Sequence, residues 1–190
     1  IDEDCDGEDA SSSDPVVTIL EGELLITEIM QNPAAIYDEN GEWFEIYNTT
    51  TAEINLNGLV ISNAAGDSHT IDFDAIIGPE TYAVLANNPD VNSNGGIPVD
   101  AEYTGVSLGN GGDTIMLSYD GVVIDSVAYD DGINFPEDDG VSMNLDPGSF
   151  DTIANDDGSN WCMANSELAS GDKGTPKEAN DDCDVAGESN

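Results

Sequence analysis

Apolar residues in this chain recur at every second position in short runs, and no helical period persists for ten residues. That pattern confines the chain to β-structure. The runs are PVVTIL (15–20), LLITEIM (24–30), EWFEIYN (42–48), INLNGLVIS (54–62), HTIDF (69–73), TYAVLA (81–86) and VSMNL (141–145), punctuated by Gly, Asn, Asp and Pro. DTIMLSYDGVVIDSVAY (113–129) reads as a hairpin, because Asp120-Gly121 suits a two-residue primed turn. An uninterrupted ladder from that turn pairs Tyr119 with Val122 and Leu117 with Ile124 on one face, leaving Met116 and Asp125 on the other. Roughly seven to nine strands at this spacing predict an all-β sandwich, with a loop-rich segment over 151–190 wrapped around it.

Hydrophobic residues make up 38% of 190, enough for one core. The charge is lopsided: 41 carboxylates stand against Lys173 and Lys177, for a net charge of −39. Nucleic acids are excluded as partners, since binding them requires Lys and Arg to neutralise phosphate. Anionic membranes are excluded on the same ground, and no run reaches the length of a spanning helix. Cations and basic protein surfaces, including assemblies of the chain with copies of itself, are the expected partners. Divalent ions or salt would relieve the self-repulsion. The chain opens on an acidic segment rather than a signal peptide, as a mature or excised piece would.

Calcium takes six to eight oxygens from acids and amides on loops, and three places offer them. Asp2, Asp4 and Asp6 precede Gly7 like the start of a calcium loop, but Ser13 stands where an EF-hand has its late glutamate. Asp38, Asn40 and Glu42 recur at every second position, and DDG (130–132) with PEDDG (136–140) forms a third acidic pair of loops. The competing reading in each case is a hydrated loop.

Three cysteines leave the pairing open. Cys162 and Cys183 could close a short C-terminal loop in an oxidising setting, leaving Cys5 odd, and pairing of Cys5 with either is the alternative.

Catalytic patterns are weak. His69 is the single histidine, and its neighbour Ser68 projects to the opposite face of a strand. No nucleophile elbow occurs, and GNGGD (109–113) precedes a strand and lacks the lysine of a phosphate loop. A glycosidase-like pair of acids would need an apolar pocket and an aromatic platform, for which Trp43 and Trp161 are the strong candidates. Asn48-Thr49-Thr50 is a glycosylation sequon that reads equally well as a plain turn.

Taken in order, LLITEIMQNP (24–33), GEWFEIYNTT (41–50), INLNGLVISN (54–63), SHTI (68–71), TYAVLANN (81–88), LGNGGDTIML (108–117) and VVIDSVAYDDG (122–132) resemble the lamin tail domain family in its bacterial secreted form. FPEDDGVSMNLDP (135–147), NWCMAN (160–165) and GTPKEAN (174–180) extend the resemblance. It implies an immunoglobulin-like β-sandwich over 15–183, flanked by an acidic linker or metal-binding tail at 1–14 and a tail at 184–190. It also implies a non-catalytic module. The basic face of nuclear members is missing, so their DNA contacts and nuclear partners do not carry over. IDEDCDGEDA resembles the end of acidic Cys-Asp-Gly repeats of bacterial surface proteins, which implies metal binding.

The resemblance places Phe44 and Ile46 inward, Glu42 at the edge of its strand, and Glu45 outward with Trp43 and Tyr47. Glu28 would approach Glu45 from a neighbouring strand, where the two repel unless a cation bridges them. The expected role is adhesion or assembly outside the cell, with calcium as the suspected ion. PVVTIL would pair either within its own sandwich or with the sheet edge of another copy to build a filament. The alternative role is an accessory domain of a larger secreted hydrolase, and a third reading is a halophilic or marine surface protein whose acids serve solubility.

Overall fold

A computed structural model describes residues 18–183. The chain runs through β1 (Leu24–Met30), a single helical turn α1 (Asp38–Gly41), β2 (Trp43–Asn48), β3 (Ile54–Asn55), β4 (Val60–Ser62), β5 (Ser68–Thr70) and β6 (Ile76–Ile77). It continues through β7 (Tyr82–Ala86), β8 (Ala101–Glu102), β9 (Gly112–Tyr119), β10 (Val122–Asp130), β11 (Met143–Leu145) and β12 (Trp161–Met163). One sheet has the order β12-β11-β1-β2-β7-β8 and the other β10-β9-β4-β5, while β3 and β6 form a small ribbon. The two larger sheets enclose one core, to which β1 and β2 give Leu24, Ile26, Phe44 and Ile46, and β9 and β10 give Ile115, Leu117, Ile124 and Val127. This is an immunoglobulin-like β-sandwich.

Several local expectations change. Asp120 and Gly121 take φ of 49° and 78°, as a primed turn requires. The ladder beyond it slips: Val123 pairs with Ser118, then Asp125 with Leu117, so Ile124 is a bulge. Leu117 therefore faces Asp125 rather than Ile124, and both Ile124 and Asp125 are buried. Around Asn57-Gly58, INLNGLVIS divides into β3 and β4. Of PVVTIL, residues 15–17 lie outside the described chain. Thr18 to Leu20 lie in no strand, and Ile19 is buried in the main core. Asp38, Asn40 and Glu42 do not alternate along a strand, because 38–41 closes into a helical turn.

The six-stranded sheet is covered on both faces. Trp43, Met30, Val84, Ala86 and Ile97 form a second apolar cluster on the side away from the main core, with Leu168 packed on it. The loop-rich C-terminal segment supplies this second cover, so every residue of β1 is buried.

Candidate functional site

Glu28 and Glu45 are Cα partners across β1 and β2, placed there by a bulge at Thr27. Glu45 does not point into water. Both acids are 0% exposed, because the GTPKEAN segment (174–180) folds across them as a clasp. Glu28 Oε1 accepts hydrogen bonds from the Ser142 hydroxyl at 2.5 Å and the Thr175 amide at 2.8 Å, and its Oε2 accepts one from the Thr175 hydroxyl at 2.8 Å. Glu45 Oε2 accepts from the Lys177 amide at 2.5 Å. Asn180 completes the clasp by donating to the carbonyls of Thr27 and Leu145, both at 2.7 Å.

Burial pushes both carboxyls above the ordinary range, and the charge of Glu28 pushes Glu45 further. Two buried carboxylates on paired positions cannot both ionise cheaply, so protonation of one of them relieves the repulsion. Gly174 lets the clasp approach closely: a Cβ there would lie 3.0 Å from both Glu28 Oε1 and Trp43 Cζ2. Cys162 and Cys183 form a disulfide, with Cα atoms 5.5 Å apart, that ties β12 to the end of the clasp. Lys177 also pairs with Asp100 through its ammonium.

Glu42 occupies a different place. It is 4% exposed, and its Oε2 accepts from the Leu108 amide at 3.0 Å and the Asn87 side chain at 3.5 Å. Burial and the charges of Asp38 and Asp113 push it up to about 7. A cavity of about 540 Å³ opens beside it, lined by Asp38, Tyr103, Val106 and Leu108 among others. Asn40 turns elsewhere and accepts from Asn88 at 3.3 Å. Thus Asp38 and Glu42 share a cavity that Asn40 does not line.

Asp2, Asp4, Asp6 and Cys5 lie outside the described residues. In the third acidic loop pair, Asp130 Oδ1 accepts the amides of Ile133, Asn134 and Phe135, which organises that turn. Among the described residues, no three His, Cys, Asp or Glu side chains converge as a metal-binding group. His69 Nδ1 lies 3.3 Å from the Thr104 hydroxyl. The sequon asparagine is internal: Asn48 is 0% exposed and donates to the carbonyls of Ala52 and Gly78 while accepting from Thr50.

Ser142, Thr175 and Asn180 were not foreseen as partners of the acid pair. GTPKEAN was a recognisable segment, but nothing in its spacing says which sheet face it covers. Asp125 was also missed: its Oδ2 accepts the Ile26 amide at 2.7 Å and the Asn155 side chain at 2.8 Å, joining the two sheets.

The family described as Lamin Tail Domain matches residues 20–131, more than half of the chain. The chain belongs to the lamin tail domain family. This family comprises immunoglobulin-like, non-enzymatic domains often involved in protein interactions. The match ends just after β10, so β11, β12, the disulfide and the clasp lie beyond the matched span. No curated protein matches the chain. Among the described residues, no helix is long and apolar enough to cross a membrane.

Proposed function

We propose that this lamin tail domain is a non-catalytic module of an extracellular assembly, serving adhesion or a surface filament. The observation that carries this reading is the closure of the Glu28–Glu45 pair. A reaction centre must meet its substrate, whereas these two acids are fully buried and spend their oxygens on the clasp. Their work is to hold the C-terminal segment against the sheet. The Cys162–Cys183 disulfide supports an oxidising location. The edge strand β10 offers a place to pair, since Val122 and Val123 are exposed on a sheet whose order ends there.

Calcium belongs to the same proposal. At a net charge of −39, ions bound at acidic loops, the Asp2, Asp4 and Asp6 segment foremost, reduce self-repulsion and let acidic copies approach. Light scattering with calcium and with chelator tests the assembly: growth beyond a monomer in calcium is the expected result, and a monomer in both overturns it. Thermal unfolding under the same conditions tests ion binding. A midpoint indifferent to calcium removes the ion from the proposal.

A further inference from the structure

The cavity beside Glu42 has the chemistry of a receptor for one basic side chain. Glu42 is almost fully buried, and Leu108 and Asn87 occupy only its Oε2. Among the described residues, Oε1 accepts no hydrogen bond, which leaves it as the acceptor the cavity can reach. Asp38 and Glu39 add two further carboxylates to the wall. The rest of the lining is mixed: Asn87, Thr104, Ser107 and Asn110 are polar, while Val106 and Leu108, 5% and 2% exposed, give it an apolar part, and Tyr103 is wholly buried with a hydroxyl that has no partner.

A bare divalent ion suits this lining poorly. It would find one open oxygen of Glu42 and the carboxylates of Asp38 and Glu39, short of the six to eight oxygens that calcium takes, and among the described residues no three His, Cys, Asp or Glu side chains converge as a metal-binding group. An apolar stem carrying a positive head matches both halves of the wall. Lysine fits better than arginine, because a single open oxygen cannot accept the two parallel bonds of a guanidinium. The strongly acidic chain also draws basic partners towards it.

We propose that this cavity receives a lysine side chain of a partner protein, its ammonium on Glu42 Oε1 and Asp38 and its stem along Val106 and Leu108. The inference rests on reading the chain as an interaction module, and it names the chemistry that one contact would use.

The test is a titration of the isotope-labelled chain with the peptide N-acetyl-Gly-Lys-Gly-amide, following backbone amide shifts. The same peptide with an acetylated lysine, its arginine counterpart and calcium chloride are titrated in parallel. Saturable shifts centred on Leu108, Gly109 and Asn110 are expected with the lysine peptide, and none with the acetylated one. Glu42→Gln should weaken binding by about tenfold or more, since it removes a largely desolvated charge. It keeps an acceptor for the Leu108 amide. Asp38→Asn is the second variant: it retains an oxygen for its contact with Asn110, and binding should weaken by about threefold.

Shifts that spread over the acidic surface without saturating would overturn the proposal. So would unchanged binding in Glu42→Gln, tighter binding of the arginine peptide, or calcium seating at the same amides and excluding the lysine peptide. The titration needs no assembled partner. Its failure removes this cavity alone, whereas the assembly reading stands or falls by light scattering.

Discussion

Glu28 and Glu45 are paired on adjacent strands beneath the clasp, and Thr175 and Lys177 reach them from more than 130 positions along the chain. The fold therefore depends on the protonation of its own acids. Burial raises the carboxyls of both members of the pair, Glu42 to about 7 and Asp125 to about 6. A raised carboxyl binds more protons folded than unfolded. Its contribution is thus complete below the ordinary range near 4.5 and is lost as pH rises through the folded value. Thermal unfolding should show the highest midpoint near pH 5, falling by about 5 °C or more by pH 8. A midpoint that rises over this interval contradicts the protonated pair.

Glu45→Gln separates the pair from the other acids. A glutamine oxygen still accepts from the Lys177 amide, and the amide side chain is neutral at every pH, so it removes the charge that Glu28 opposes. The variant should match the parent at pH 5 and exceed it at pH 8 by about 1–3 kcal/mol, measured by urea unfolding at both pH values. Equal stability at pH 8 would mean that the two acids are not in conflict.

Gly174→Ala tests the clasp from the other side. The added methyl would meet Glu28 Oε1, Trp43 Cζ2 and Ser142 Oγ at 3.0–3.1 Å, and all three belong to packed, fully buried residues. The expected loss is about 1–3 kcal/mol, with hydrogen exchange rising at the Thr175 and Lys177 amides ahead of the β1–β2 ladder. Uniform exchange across the domain would show that the clasp is not a separate unit.

Reduction of Cys162–Cys183 should act on the same unit. The cysteines are 21 positions apart, and closing a loop of that length stabilises by about 3 kcal/mol. The midpoint should fall by about 6–12 °C in reductant, with the clasp amides exchanging first. A smaller loss, with no change at the clasp, would place the anchorage in Asn180 and the acids instead.

Much of the sandwich was legible because alternation reports on a strand with one core-facing side. Phe44 and Ile46 face the main core as the resemblance implied. Glu45 was misread for the same reason: alternation says only that it faces away from Phe44, not whether that side is wet. The second cover comes from a segment whose contacts are backbone amides, a tight glycine and hydroxyls, which leave no periodic trace. The hairpin repeats the point. Asp120-Gly121 announces its turn, but the bulge at Ile124 is a tertiary feature, and a single extra residue reverses the facing of each residue beyond it.

Asp125 is where that reversal has its consequence. The bulge on β10 turns its carboxylate inward, where Oδ2 accepts the Ile26 amide of β1 and the Asn155 side chain, so one acid bridges the two sheets. The Ile26 amide sits at the β1 bulge, where the ladder to β2 slips between Ile26 and Glu28. Asp125→Ala would leave that buried amide and the Asn155 amino group without this acceptor and should cost about 2–4 kcal/mol. Asp125→Asn keeps an oxygen for Ile26, and its amino group can donate to Asn155 Oδ1, which has no partner. It should therefore cost much less and remove the share of the pH dependence that Asp125 contributes between about pH 4 and 6. Urea unfolding of both variants at pH 5 and pH 8 decides the matter. If alanine and asparagine are equally harmful, the side chain serves by its shape, and the bridge between the sheets is not what holds β10 in register.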